Sequence, residues 1–399
     1  MNTQDFKTKT ILQDRRNPYP DQLPFWGIGL DVGYSAVKGI SPNRLFSFPS
    51  YARKIDGSRM TFRESRPSDL FYRDENGETW AVGELAYKEI NANERLDSEM
   101  ELYGRNRYFS PLFLVISRVG LALGLLPNEY GAPGDRKVKV QTGLPSKYMA
   151  DEAMIREALS GHHAFEIRIG SGPWAKFEFD LDNQDVFSST SCDVSVMPQP
   201  IGSLLSVCIG ADGKQLPIAR NIFSSKAIVF DPGFGTLDDY LINNGSVDER
   251  ASNTFPEYGM CEVFNRTRRD IKKIYHTEVT LPEFQNILVT GKVSVVDIHR
   301  MRRVMYPIDD LLQKNSKEVC MEAVEKMKVV HNYFADIQYI IAAGGTYDAW
   351  KDDFNKVFQD MEGLSIVPGN VNVPDISNIF SNVRGYYFYL INMLSRLKG

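Results

Sequence analysis

The chain has 399 residues, 43% hydrophobic and 24% charged, which is the composition of a globular protein long enough for two or three cores. A formal net charge of −5 excludes the basic surface of a direct DNA or RNA binder, and no run of about 18 apolar residues is present to cross a membrane. Four widely spaced cysteines without a CxxC pair (Cys192, Cys208, Cys261, Cys320) exclude a disulfide framework and fit reduced thiols.

Met1 to Pro24 is polar, carries Arg15-Arg16 and has no apolar core. It reads as an N-terminal extension, flexible or loosely docked, and not as a targeting segment, so a cytoplasmic location is expected. Strand signals follow at Phe25–Val32, Tyr34–Ile40 and Arg44–Phe48, spaced as a meander. The Arg-rich stretch Ala52–Asn76 reads as a loop-heavy insertion. Trp80–Gly83 predicts a strand, Glu84–Asn91 a helix and Phe109–Leu126 a long buried helix. Lys137–Thr142 predicts a strand and Asp151–Leu159 a helix, with Ser160 to His163 a loop, not a metal site. Strands are expected at Ala164–Ile169, Ala175–Phe179 and Cys192–Met197, and a helix at Gly202–Ile209.

The second half repeats the plan. Strands over 226–231 and 236–242 lead to Asn243-Asn244-Gly245, a strong hairpin signal. Helices are predicted over Glu257–His276, Leu281–Leu288 and Ile308–Tyr333. A strand at Gln338–Ala342, a helix at Tyr347–Gln359 and a C-terminal helix near Asn378–Leu397 follow. The order β-meander, helix, β, helix occurs twice and predicts a duplicated α/β fold.

Two segments carry the chemistry. In the first, an apolar strand ends in Asp31-Val32-Gly33 and turns through Tyr34-Ser35 toward Lys38. In the second, a like strand ends in Asp231-Pro232-Gly233 and turns through Phe234-Gly235-Thr236 toward Asp238. A strand–turn–strand with Gly at the bend presents backbone N–H groups to a phosphate, and the Asp at the strand end can hold a hydrated cation. Lys38 is placed as a point charge on phosphate, and Asp231 as a metal-shell or water-polarising carboxylate. One Asp-x-Gly alone reads more readily as an ordinary hairpin bend; two, about 200 residues apart, point to one triphosphate gripped from both sides. A third element is the apolar strand that enters Gly344-Gly345-Thr346 and opens a helix, where bare backbone can lie against base, ribose or phosphate.

With these elements in this order, the chain resembles the actin, DnaK-chaperone and sugar-kinase ATPase superfamily, and within it bacterial actins of the ParM type. Val140-Gln141-Thr142-Gly143-Leu144-Pro145 is similar to that group's Thr-Gly-Leu-Pro segment. Trp80 to Ala86 resembles its Val-Gly-x-x-Ala segment, and Ser381 to Tyr386 its Asn-x-Arg-Gly-aromatic helix. The resemblance implies a duplicated, ribonuclease H-like ATPase fold with two lobes around a nucleotide cleft. Lobe I is expected over 25–200 plus 375–399, with a subdomain inserted at about 50–110. Lobe II is expected over 201–374, with a helical subdomain inserted at about 255–335.

The resemblance also assigns roles. Gln199 falls in the first connecting segment and orients the attacking water with Asp231; a Pro-flanked loop Gln is the other reading. Phe234 departs from the small or acidic residue usual at its position. Lys272, in the basic run Arg268 to Lys273, matches a Lys that touches adenine and ribose; a solvated basic face or a filament contact reads the same run differently. The implied cofactors are ATP (or GTP) and Mg2+, with Asp31 and Asp231 anchoring the metal's water shell. The implied activity is slow hydrolysis coupled to assembly of a homopolymer. The implied task is plasmid segregation through a separate DNA-binding adaptor, with no direct nucleic-acid contact and no membrane. A small-molecule kinase would need a catalytic Asp beside a substrate pocket, and none stands out beyond the hairpins. A chaperone would need an appended peptide-binding domain, which is not expected; a regulatory ATPase is the remaining alternative.

Overall fold

The computed structural model describes residues 2–18, 23–55, 64–88, 105–183, 192–297 and 300–396. Its first sheet has the strand order Ile11–Asp14, Arg44–Pro49, Ala36–Ile40, Phe25–Val32, Lys137–Leu144, Val194–Pro198. The first three pairings are antiparallel and the last two parallel. The other large sheet is built alike: Lys226–Pro232 pairs antiparallel with Leu237–Asn243 and parallel with Tyr339–Ala342, which pairs parallel with Ser365–Pro368. Phe25–Val32 is buried along its whole length, as a strand covered on both faces must be. The same register therefore recurs: Asp31 lies opposite Lys38 in one hairpin, and Asp231 opposite Asp238 in the other.

Helix Pro111–Leu125 covers one face of the first sheet. Ser110 caps it by accepting from the Phe113 N–H, and Pro111 occupies its first turn, where no N–H partner is needed. Gly120 lets it settle: a Cβ there would lie 2.9 Å from Leu30 Cδ1. The opposite face is covered by helices Gln199–Cys208 and Ser381–Arg396. These two cross backbone to backbone, because a Cβ on Gly385 would overlap the Gly202 carbonyl and one on Gly202 would lie 2.6 Å from the Asn382 carbonyl oxygen. Arg384 donates to the carbonyls of Ser206, Ile209 and Gly210, so a cation closes the carbonyl end of the neighbouring helix. These contacts fix where Gln199 and Asn382 stand.

Several sequence expectations change. Within the 52–76 stretch, Ala52–Ile55 and Leu70–Arg73 are strands of a five-stranded sheet with Thr79–Val82, Gly161–Ile169 and Ala175–Leu181, residues 64–69 and 74–76 are loop, and residues 56–63 lie outside the described residues. His162 and His163 begin a strand, not a loop; His163 is buried and accepts from Arg118 Nε at 3.4 Å. A hairpin, Lys292–Asp297 with Arg302–Pro307, interrupts the helix-rich block. The helix expected from Gly202 begins at Gln199. The helix expected to Asn91 is described over Glu84–Lys88, and Asn91 lies outside the described residues.

The N-terminal segment is docked, not loose. Thr3–Phe6 is a short helical turn closed by an Asn2–Asp5 capping box, and Phe6 is buried. Ile11–Asp14 then adds an edge strand to Arg44–Pro49. Among the described residues no helix is long and apolar enough to cross a membrane.

Candidate functional site

The two Asp-x-Gly turns adopt the same closure. The Gly33 N–H donates to Ala36 O at 3.0 Å, and the Gly233 N–H donates to Thr236 O at 2.7 Å. A side chain would jam either turn: a Cβ would lie 2.9 Å from Ala36 O at Gly33 and 3.1 Å from Thr236 O at Gly233. Outward groups hold the turn carbonyls back. Ser50 Oγ donates to Gly33 O at 2.8 Å, Arg107 donates to Val32 O and Gly33 O, and the Ser50 N–H donates to Ser35 O at 2.9 Å. In the second turn, Gly233 O accepts from the Met260 N–H at 3.1 Å and from Thr346 Oγ1 at 3.0 Å. Among the described residues no hydrogen-bond acceptor takes the Ser35 or Gly235 N–H.

Both turns face one cavity. Asp31, Gly33, Tyr34, Ser35 and Lys38 line it from one side. Asp231, Gly233, Phe234, Gly235 and Thr236 line it from the other, with Gly344, Gly345, Thr346 and Gln199 completing the wall. The turns touch: a Cβ on Gly235 would lie 2.5 Å from the Tyr34 ring, and that ring is stacked 4.6 Å beneath the Arg107 guanidinium. Helix Gly344–Phe358 opens onto the cavity with no side-chain cap, leaving its first N–H groups available to an anion. Gly344 is in the left-handed region at φ 85°. A Cβ there would lie 3.1 Å from Asp231 Oδ1.

The floor is acidic and interlocked. Asp31 takes Lys38 Nζ at 3.3 Å and Gln199 Nε2 at 3.1 Å. Asp231 accepts from Asn382 Nδ2 at 2.8 Å, and Ser203 Oγ holds Asn382 Oδ1 at 2.6 Å. Burial raises the pKa of Asp231, and the Asn382 bond opposes that rise. Asp238 is pushed up to about 7 by burial, against a 2.5 Å hydrogen bond from Thr254, with the neighbouring Asp231 adding to the rise. Three carboxylates against one lysine make a poor seat for a bare polyphosphate but fit one that brings a divalent cation. Among the described residues no group of three or more His, Cys, Asp or Glu side chains could hold a metal.

Residues 29–202 match the family described as Actin like proteins N terminal domain. This chain has an actin-like fold. A 15-stranded ParM filament from Clostridium botulinum has a subunit similar to this chain, with a TM-score of 0.66 at 18% identity over 92% of this chain and 99% of that one. The archaeal actin homolog Ta0583 in complex with ADP gives 0.58 at 17% identity over 92% and 99%. The actin-like protein Alp7A gives 0.59 at 15% identity over 93% and 98%. No curated protein sequence matches at a significant level.

In the actin-like frame, one candidate stands apart. Lys272 lies on the exposed side of helix Met260–Tyr275, paired with Glu278, and does not line the cavity. The buried side of that helix carries Val263, Phe264, Thr267 and Ile271, which leaves Lys272 and Lys273 facing solvent. Phe234 packs edge-on against Phe264 at 5.6 Å, so its ring is anchored in the second lobe's core beside the cavity. Two site residues lie in the quoted segments without a role assigned to them. Asn382 lies within the quoted Asn-x-Arg-Gly segment, where a polar residue amid aromatics was the available signal. Asp238 was visible as the hairpin partner of Asp231.

Proposed function

We propose that this protein is an ATPase that binds Mg2+–ATP in its interlobe cleft and assembles with copies of itself into nucleotide-dependent filaments. The observation that carries this reading is the pair of equivalent glycine turns facing one cavity. The Ser35 and Gly235 N–H groups would meet phosphate oxygens from opposite walls, and the helix opening at Gly344 would meet a third side. Asp31 and Asp231 would hold the water shell of Mg2+. The ion supplies positive charge that lets a polyphosphate sit above these acids. Lys38, held by Asp31, points a compact charge at the same region. Gln199 would orient the lytic water and Asp231 polarise it. A glutamine is a weak base, which favours slow turnover timed by assembly.

Lobe closure on the γ-phosphate would set the shape of the face offered to the next subunit, so assembly would follow nucleotide state. The likeness to a ParM filament subunit supports self-association. Plasmid segregation through a DNA-binding adaptor is the cellular task we infer from the ParM-type motifs, and the acidic charge of −5 supports leaving DNA contact to a partner.

Light scattering at micromolar protein tests the reading. Scattering should rise on addition of Mg2+–ATP, fall as phosphate is released, and stay flat with EDTA; electron micrographs at the plateau should show filaments. Nucleotide binding without any scattering change would sink the polymer, and a GTP series would set the base preference.

A further inference from the structure

Residues 2–14 join the two lobes along the wall of the cleft. Thr3 Oγ1 donates to Leu288 O at 3.0 Å and Gln4 Nε2 donates to Val289 O at 3.1 Å, at the carbonyl end of helix Leu281–Thr290. Phe6, 8% exposed, is a member of the second lobe's core. The chain then crosses to the first lobe. Glu84, at the start of helix Glu84–Lys88, takes Lys7 Nζ at 2.6 Å on one carboxylate oxygen and the Thr10 N–H at 2.7 Å on the other. Beyond it Leu12 packs on the first lobe's core, and Ile11–Asp14 extends that lobe's sheet.

Between these anchors, Asp5, Phe6, Lys7 and Thr8 line the same cavity as the two glycine turns. The two helices that carry the anchors also meet directly, through Asn286 Nδ2 on Tyr87 O at 2.9 Å. A ligand entering or leaving past this segment must part Glu84 from Lys7 and Thr10, or lift Phe6 from its seat. Burial alone would raise the Glu84 pKa, but the Lys7 and Thr10 hydrogen bonds outweigh it and hold the carboxyl below its ordinary range, so the clasp is charged at neutral pH.

We propose that residues 2–14 are a strap that holds the lobes closed over bound nucleotide, so that detachment at Glu84 and Phe6 limits nucleotide release. This rests on the nucleotide reading of the cleft. Opening the lobes by rotation would separate anchors fixed to different cores, and a short tether between them resists that motion. Lys7 and Glu84 are both largely buried, at 16% and 19% side-chain exposure, so their pairing is shielded from salt more than a surface pair.

The test uses the full chain loaded with a fluorescent ATP analogue and chased with excess ATP at a concentration below assembly. Lys7→Ala and Glu84→Ala should each speed release by about tenfold, with the double variant no faster than either alone. The swapped pair Lys7→Glu with Glu84→Lys should regain much of the slow release. Hydrogen exchange in the unaltered protein supplies a second reading: amides from Phe6 to Thr10 should exchange several-fold more slowly with nucleotide bound. Release rates equal to the wild type in all variants, or exchange indifferent to nucleotide, would overturn the strap while leaving the cleft reading intact. A wild-type protein that retains no nucleotide would overturn both.

Discussion

Asn382 donates its amide to Asp231 at 2.8 Å from a helix at the far end of the chain, while Ser203, on a third element, fixes the orientation of that amide. The acid that ends the second turn is thus held by a donor that the sequence places 151 positions away. Asn382→Ala removes the bond that opposes the burial-driven rise in the Asp231 pKa. We expect hydrolysis to fall about tenfold and stability to drop by about 1–3 kcal/mol, the range for orphaning a buried polar partner. Phosphate-release assays alongside urea unfolding check both. Wild-type hydrolysis in a stably folded variant would show that Asp231 does not need its amide.

Gln199 sits at the first turn of its helix and reaches Asp31 at 3.1 Å, so its side chain spans from the connecting segment to the first turn's acid. Gln199→Ala should slow hydrolysis with little change in nucleotide affinity, and filaments should persist longer before scattering decays. Asp231→Ala should abolish phosphate release without unfolding the chain. Unaltered polymer lifetimes with Gln199→Ala would assign that glutamine to packing.

Much of the fold could be read because burial on both faces writes itself as continuous apolar runs. Phe25–Val32 begins and ends where its run does, and Asp31 and Asp231 mark both strand ends. What could not be read depends on which face of an element is covered. Helix Met260–Tyr275 has a basic stripe whether or not that stripe meets a ligand, and only packing of Val263 and Ile271 turns Lys272 outward. In the Lys292–Pro307 hairpin exposure alternates along both strands, but Val296 and Met305 put apolar side chains on the solvent face and blur the polarity pattern in the sequence. The docking of residues 2–14 hangs on Phe6 and Glu84, two residues whose pairing with distant elements leaves no local pattern. Gly202 and Gly385 are similar: their close crossing is a property of two helices, and neither helix alone reveals it.

Gly235 meets Tyr34 where the two turns approach each other. A methyl at Gly235 would lie 2.5 Å from the Tyr34 ring, which Arg107 holds from behind. Gly235→Ala should therefore wedge the turns apart and weaken nucleotide binding about tenfold, in line with ~1–3 kcal/mol for overpacking. Adding Tyr34→Ala should restore most of the affinity, since the ring is the obstacle. Calorimetric titration of both variants checks this; a double variant as weak as Gly235→Ala alone would place the fault in the turn's backbone.

His163 makes stability depend on pH through a group away from the cleft. Burial depresses its pKa to about 4; the hydrogen bond to the Leu159 carbonyl opposes this and the Arg118 charge reinforces it. Its neighbours fit a neutral ring, with Nδ1 accepting from Arg118, Nε2 donating to Leu159 O, and Phe179 stacked at 5.0 Å. The folded pKa lies below the unfolded value of about 6.5, so between those limits the unfolded chain binds the extra proton. The neutral ring's contribution is complete above pH 6.5 and is lost as pH falls toward 4, by up to roughly 3 kcal/mol. Urea midpoints at pH 7.5 and pH 5 should therefore drop further for the wild type than for His163→Gln, which cannot take up that proton. Parallel pH profiles for the two proteins would mean that the ring stays neutral in both states or is charged in both.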